Sequence, residues 1–132
     1  MQRYYKYTFK LNASHNNGGA NHSHTFNIVL YIKQKTNNFT EYTQVEQRIR
    51  DYLNKYSLKL LNTCDDFKNI NPTIENMSIL FFNKLTAIIN DENFELIKLE
   101  LSDNILKKFT VSNDIVIGSC MNVVKRKDMD YD

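Results

Sequence analysis

The chain carries three histidines, His15, His22 and His24, and all of them lie within ten positions of one another. Imidazole nitrogen is a strong ligand for zinc and other late first-row metals. Three neutral imidazoles that leave a fourth position open form the ligand set of a catalytic zinc site. The phase of these residues makes that chemistry plausible. His15 continues the apolar series Phe9, Leu11, Ala13, and His24 opens the series Phe26, Ile28, Leu30. Two extended segments with that pattern direct both rings to the buried face, at the same end of a hairpin, and His22 shares that face by its spacing of two from His24. One histidine on an apolar face is ordinarily a satisfied core residue. Three in phase would bury several nitrogens without partners, at about 1–3 kcal/mol each, unless a cation collects them.

The elements that must position these rings follow from periodicity. Tyr5 to His15 alternates, with Tyr5, Tyr7, Phe9, Leu11 and Ala13 against Lys6, Thr8, Lys10, Asn12 and Ser14, and this predicts a strand. His24 to Lys33 predicts a second, and Asn16 to Asn21, with Gly18-Gly19, predicts the connecting loop. Val45, Ile49, Tyr52, Leu53 and Tyr56 recur at helical spacing after Thr43, a possible cap. Ile74, Met77, Phe81, Leu85 and Ile88 form another helical stripe, which begins at Asn71-Pro72-Thr73, where Asn71 or its neighbour can cap and Pro72 suits a first turn. Phe94 to Leu101 reads as a strand with Ile97, Leu99 and Leu101 on one face and Leu96, Lys98 and Glu100 on the other. Lys107 to Ser112 and Ile115 to Val124 are further strand candidates.

Composition sets the bounds. With 132 residues, 42% hydrophobic, 3 Gly and 1 Pro, the expectation is one folded domain over residues 1–124, followed by a charged tail over 125–132. A net charge of +2, with signs interspersed, lacks the basic excess of a nucleic-acid binder. No apolar run approaches the roughly 18 residues of a membrane span. Two cysteines, Cys64 and Cys120, are too few for a disulfide framework, and the start Met-Gln-Arg-Tyr-Tyr-Lys has no apolar signal segment, so the expected compartment is the cytoplasm.

These residues resemble a known family. Phe9-Lys10-Leu11-Asn12-Ala13-Ser14-His15 and His22-Ser23-His24-Thr25-Phe26-Asn27-Ile28-Val29-Leu30 are similar to the two histidine strands of the 6-pyruvoyltetrahydropterin and 6-carboxytetrahydropterin synthase family. Leu61-Asn62, Asn71-Pro72-Thr73-Ile74-Glu75-Asn76 and Leu99-Glu100-Leu101-Ser102 resemble its further elements in order and spacing. The resemblance implies an α+β tunnelling fold, a four-stranded antiparallel sheet with two helices on one face in the order ββααββ, assembling as a homotrimer or hexamer. It implies Zn2+ on His15, His22 and His24, a small-molecule pterin such as 7,8-dihydroneopterin triphosphate as substrate, and Glu100 as the carboxylate that anchors the pterin. Such a carboxylate can accept two parallel N–H bonds from the pterin edge. Thr73 and Glu75 match a helix start that helps to form the pocket. Without the resemblance, Glu100 reads as an exposed strand residue, and Thr73 and Glu75 as ordinary helix capping.

The pattern also breaks. The family's cysteine before the second histidine strand is matched by Gly18, and the Asp-His pair that should precede Leu61-Asn62 by Ser57 and Leu58. Cys64, Asp65-Asp66, Lys59 or a zinc-bound hydroxide are the substitutes available for proton transfer. Three functions follow: a zinc-dependent pterin lyase, in pterin or deazapurine (queuosine-type) biosynthesis; a catalytically inactive or diverged zinc- and pterin-binding paralogue; or an enzyme with a changed reaction, such as aldol cleavage of a smaller pterin.

Overall fold

A computed structural model describes residues 3–36 and 42–113. Four strands, β1 (Tyr5–His15), β2 (His22–Gln34), β3 (Phe94–Ser102) and β4 (Phe109–Ser112), form one antiparallel sheet in the order β1-β2-β3-β4. Between β2 and β3 the chain makes α1 (Tyr42–Leu53), three short 3-10 turns and α2 (Ile74–Ile89). The order among the described residues is therefore ββααββ, as expected. The candidate strand from Ile115 to Val124 and the tail over 125–132 lie outside the described residues.

Alternation decides which face of the sheet is covered. Phe9, Leu11 and Ala13 of β1, Phe26, Ile28 and Leu30 of β2, and Leu99 and Leu101 of β3 are all buried. They form one core with Val45, Ile49 and Tyr52 of α1 and with Met77, Phe81 and Leu85 of α2. Removal of this apolar surface from water is the main force holding the helices to the sheet. The opposite face is polar, with Lys6, Thr8 and Lys10 of β1 exposed.

Three local expectations are corrected. Strand β3 carries an extra residue: Tyr31 pairs with Lys98 and Ile32 with Leu96, so Ile97 is left over as a bulge. The bulge resets the phase. Leu96 is 1% exposed and faces the core, whereas Ile97 is only partly buried. Thr43 lies inside α1, which begins at Tyr42, and so does not cap it. The α1 helix stops at Leu53, and Tyr56 is buried from the 3-10 turn that follows.

The start of α2 matters most for the site. Thr73 is its N-cap, and the Thr73 hydroxyl oxygen accepts the Asn76 backbone N–H at 3.1 Å. The Asn76 side chain donates back to the Asn71 carbonyl at 2.9 Å, so the segment Asn71-Pro72-Thr73 is held from both ends. Capping contributes about 1 kcal/mol in such settings. Replacing Thr73 by Ala should lower the unfolding free energy by about that amount in urea denaturation, and Thr73→Ser should restore most of it.

Candidate metal centre

The hairpin of β1 and β2 sets the histidines in register. His15 pairs with His22, and Ala13 with His24, so all three rings belong to the helix-covered face at one end of the sheet. His15 is 5% exposed, His24 is partly buried and His22 is exposed. The rings of His15 and His24 meet edge to face at 4.9 Å between centroids, and the buried Phe26 ring lies 5.5 Å from each. His22 stands farther out, 6.2 Å from His24 by ring centroids.

The second observation concerns the donor atoms. Nδ1 of His15 lies 2.6 Å from the Pro72 carbonyl oxygen. A carbonyl can only accept, so Nδ1 carries the proton and donates it, and in the neutral ring Nε2 presents a lone pair. Among the described residues nothing donates to that nitrogen. A buried imidazole with one nitrogen tied to a backbone carbonyl and the other free is the arrangement of a metal-ligating histidine. The capped start of α2 supplies the carbonyl, which joins the helix cap to the histidine cluster.

The loop between the two histidine strands is pinned by Asn62. Its side-chain oxygen accepts the Asn16 backbone N–H at 2.9 Å, and its amide donates to the Asn16 carbonyl at 2.9 Å. Asn16 in turn donates to the Asn21 side chain at 2.7 Å, closing the loop just before His22. Leu61-Asn62 thus acts through the backbone, fixing where β1 ends.

The other sequence-derived candidates separate. Thr73 sits beside Pro72 as a cap, and Glu75 is exposed at the first turn of α2. Glu75, Asp103, Lys107 and Lys108 line a cavity of about 60 Å³, far below the roughly 300 Å³ of a typical small-molecule site. Glu100 alternates with the buried Leu99 and Leu101, so it lies on the opposite face, where it accepts a hydrogen bond from the Tyr31 hydroxyl at 3.0 Å and pairs with Lys108 at 3.8 Å. A wider hollow of about 380 Å³ is lined by Asn12, Ser14, Ser23, Thr25, His24 and Leu58. Its polar side chains already pair with each other, Thr25 with Asn12 at 2.6 Å and Ser14 with Ser23 at 3.1 Å.

One carboxylate escaped the sequence reading. Ligand atoms of His15, His24 and Asp103 lie within 4.8 Å of one another. The signal was available, since the alternation Leu99, Leu101 continued by two reaches Asp103 on the histidine side.

Of the proposed proton-transfer substitutes, Asp66 is committed elsewhere. It accepts the Tyr56 hydroxyl at 2.5 Å and faces Lys55 and Lys84 at 3.8 and 3.9 Å. Asp65 pairs with Lys68 at 3.2 Å, and Lys59 is exposed, its carbonyl taken by the Ser14 N–H. Burial pushes the Cys64 thiol above its ordinary range, and Asp66 and Asp65 push it further against the opposing pull of Lys59 and Lys55. A raised thiol is protonated at neutral pH and a poor nucleophile or base.

Comparison with known proteins bears on what this arrangement is. The family model described as 6-pyruvoyl tetrahydropterin synthase matches residues 3–114. The chain belongs to the 6-pyruvoyl tetrahydropterin synthase family. The fold agrees with two solved structures of that name. One is the Caenorhabditis elegans 6-pyruvoyl tetrahydropterin synthase, with a TM-score of 0.74 at 15% identity over 85% of this chain and 96% of that one. The other is a catalytic-residue mutant of Plasmodium vivax 6-pyruvoyltetrahydropterin synthase, with a TM-score of 0.63 at 13% identity over 87% and 99%. No curated protein sequence matches the chain. Among the described residues no helix is long and apolar enough to cross a membrane.

Alkylation tests the assignment of Cys64. In a Cys120→Ser background, iodoacetamide should modify Cys64 in the folded protein at least about tenfold more slowly at pH 7 than in the urea-unfolded chain. The rate should climb as pH rises past the ordinary thiol range. Equal rates at pH 7 would return Cys64 to the list of proton-transfer groups.

Proposed function

We propose that the chain is a zinc-dependent lyase acting on 7,8-dihydroneopterin triphosphate or a related pterin, yielding 6-pyruvoyl- or 6-carboxytetrahydropterin. The second product would feed deazapurine (queuosine-type) nucleoside synthesis. The observation that carries the reading is the buried His15, with Nδ1 donated to Pro72 and Nε2 free beside His24. His15 and His24 would hold the ion, with His22 as the third donor that the family resemblance implies. A zinc ion bound there would polarise a substrate hydroxyl and acidify the protons next to it.

The chain's own residues would do the rest. Phe26 supports both imidazoles from below, and Thr73 keeps the Pro72 carbonyl aimed at His15. Glu75 is a carboxylate on the histidine side that can accept the paired N–H groups of a pterin edge. Glu100 can do so only in a site built on the opposite face, and the small size of the cavity within one chain favours a pocket completed by another copy. A homotrimer or hexamer in the cytoplasm fits this reading.

A specific observation keeps a second reading, a zinc- and pterin-binding paralogue without lyase activity. Gly18 stands where the family has a cysteine, at φ +105°, a backbone shape that would strain a thiol-bearing side chain. Leu58 stands where the family has histidine, 83% exposed at φ 60°. That left-handed shape suits histidine or asparagine better than leucine.

Incubation of zinc-loaded protein with 7,8-dihydroneopterin triphosphate, followed by mass spectrometry, separates the readings. The lyase reading expects loss of substrate and appearance of one of the two tetrahydropterins. Binding by calorimetry with no turnover above zinc-free protein would leave the paralogue. A dihydropterin with a shortened side chain would indicate aldol cleavage instead.

A further inference from the structure

Tyr31 is 7% exposed, yet it does not belong to the core between sheet and helices. Its sheet neighbours are Lys6 on β1 and Lys98 on β3, so it sits on the face turned away from the helices. The Lys98 ammonium lies 4.2 Å from the ring centroid and that of Lys6 lies 5.4 Å from it, both within the range of cation–π attraction. The Tyr4 ring meets Tyr31 edge to face at 5.4 Å. A tyrosine so enclosed has little freedom to turn.

Its hydroxyl reaches one acceptor. Val29 pairs with Glu100 and Tyr31 with Lys98, so Tyr31 is the diagonal neighbour of Glu100, a span that an aromatic side chain can cross. The hydroxyl donates to Oε2 of Glu100 at 3.0 Å. Burial, and then that hydrogen bond, push the phenol above its ordinary range, so it remains a donor at neutral pH. Among the described residues no other group hydrogen-bonds to Glu100. Lys108 faces Oε1 at 3.8 Å from a side chain that is 60% exposed, where solvent and salt weaken its hold. An ionised carboxylate accepts up to about four hydrogen bonds, so Tyr31 leaves acceptor capacity on both oxygens.

Resting on the reading of Glu100 as the pterin carboxylate, we infer that Tyr31 is its positioning residue, whose hydroxyl holds Glu100 in the orientation that receives the ligand's paired N–H groups. Parallel bonds to two oxygens demand a fixed carboxylate plane. A group held there before the ligand arrives has less freedom to lose on binding, and affinity rises accordingly. The phenol acts through Glu100 and touches no ligand itself.

Neopterin, which carries the same 2-amino and N3 edge, is the probe. It is titrated by calorimetry into zinc-loaded wild type, Tyr31→Phe, Glu100→Ala and the double variant. Tyr31→Phe keeps the ring and removes only the hydroxyl, and urea denaturation verifies that each variant is folded. Affinity should fall about 3- to 10-fold in Tyr31→Phe and by more than about tenfold in Glu100→Ala. The double variant should match Glu100→Ala within about twofold, because a hydroxyl that acts through the carboxylate has nothing left to hold. An affinity of Tyr31→Phe equal to wild type, or a loss that adds in full to that of Glu100→Ala, would overturn the inference while leaving pterin binding in place. Binding by Glu100→Ala as tight as wild type would overturn it too, and would move the anchor to Glu75. A wild-type chain that does not bind neopterin would overturn the pterin reading itself, and this inference with it.

Discussion

The hydrogen bond from His15 Nδ1 to the Pro72 carbonyl ties the two halves of the molecule to one purpose. It joins the end of the first strand to the start of the second helix, across 57 positions of sequence. By using one ring nitrogen it decides the state of the other. A buried imidazole without that partner could take either tautomer and would present a donor or an acceptor indifferently. With it, Nε2 has one role, that of a lone-pair acceptor. The N-cap at Thr73, the Asn76 bond to Asn71 and the Phe26 ring all hold this geometry.

The divergent positions make sense around that fixed point. Asn62, Thr73 and Phe26 hold the histidine geometry through their side chains, whereas the segment of Ser57 and Leu58 meets β1 through its backbone, the Leu58 N–H donating to the Asn12 carbonyl at 2.6 Å and the Lys59 carbonyl accepting the Ser14 N–H at 2.9 Å. Asn62 substitutes for a missing strand partner at Asn16, and leucine or alanine could not accept and donate there at once.

Much of this was legible in the sequence, and for a physical reason. Where one face of a strand is buried and the other wet, period-two alternation reports orientation directly, and β1 has the bounds it predicts, with Phe9, Leu11, Ala13 and His15 buried, although Tyr5 at the strand's start is exposed and Tyr7 only partly buried. The stripe of α2 is legible for the same reason at helical period, although its cap is Thr73 and not Asn71, so that Pro72 precedes the helix instead of opening it. Alternation fails where a residue is inserted without changing the pattern of polarity. Ile97 is apolar and adjoins Leu96, so the bulge between them leaves no mark, and the face of Leu96 was misassigned. Glu100 lies on the face opposite to Leu99 and Leu101, as its parity predicts. The parity of Leu99 and Leu101, continued by two, reaches Asp103, which no motif singled out. The pairing of His15 with Pro72 was not legible at all, because it depends on how the sheet and helix pack and no local pattern encodes it.

Nitrogen NMR of the histidine rings tests the central claim most directly. Long-range nitrogen–proton correlation spectra distinguish Nδ1-protonated from Nε2-protonated imidazole, residue by residue. The account predicts that His15 in the metal-free protein is the Nδ1–H tautomer and that added zinc shifts its Nε2 resonance together with a ring nitrogen of His24. A His15 protonated on Nε2, or ring nitrogens of His15 and His24 that do not respond to zinc, would contradict it.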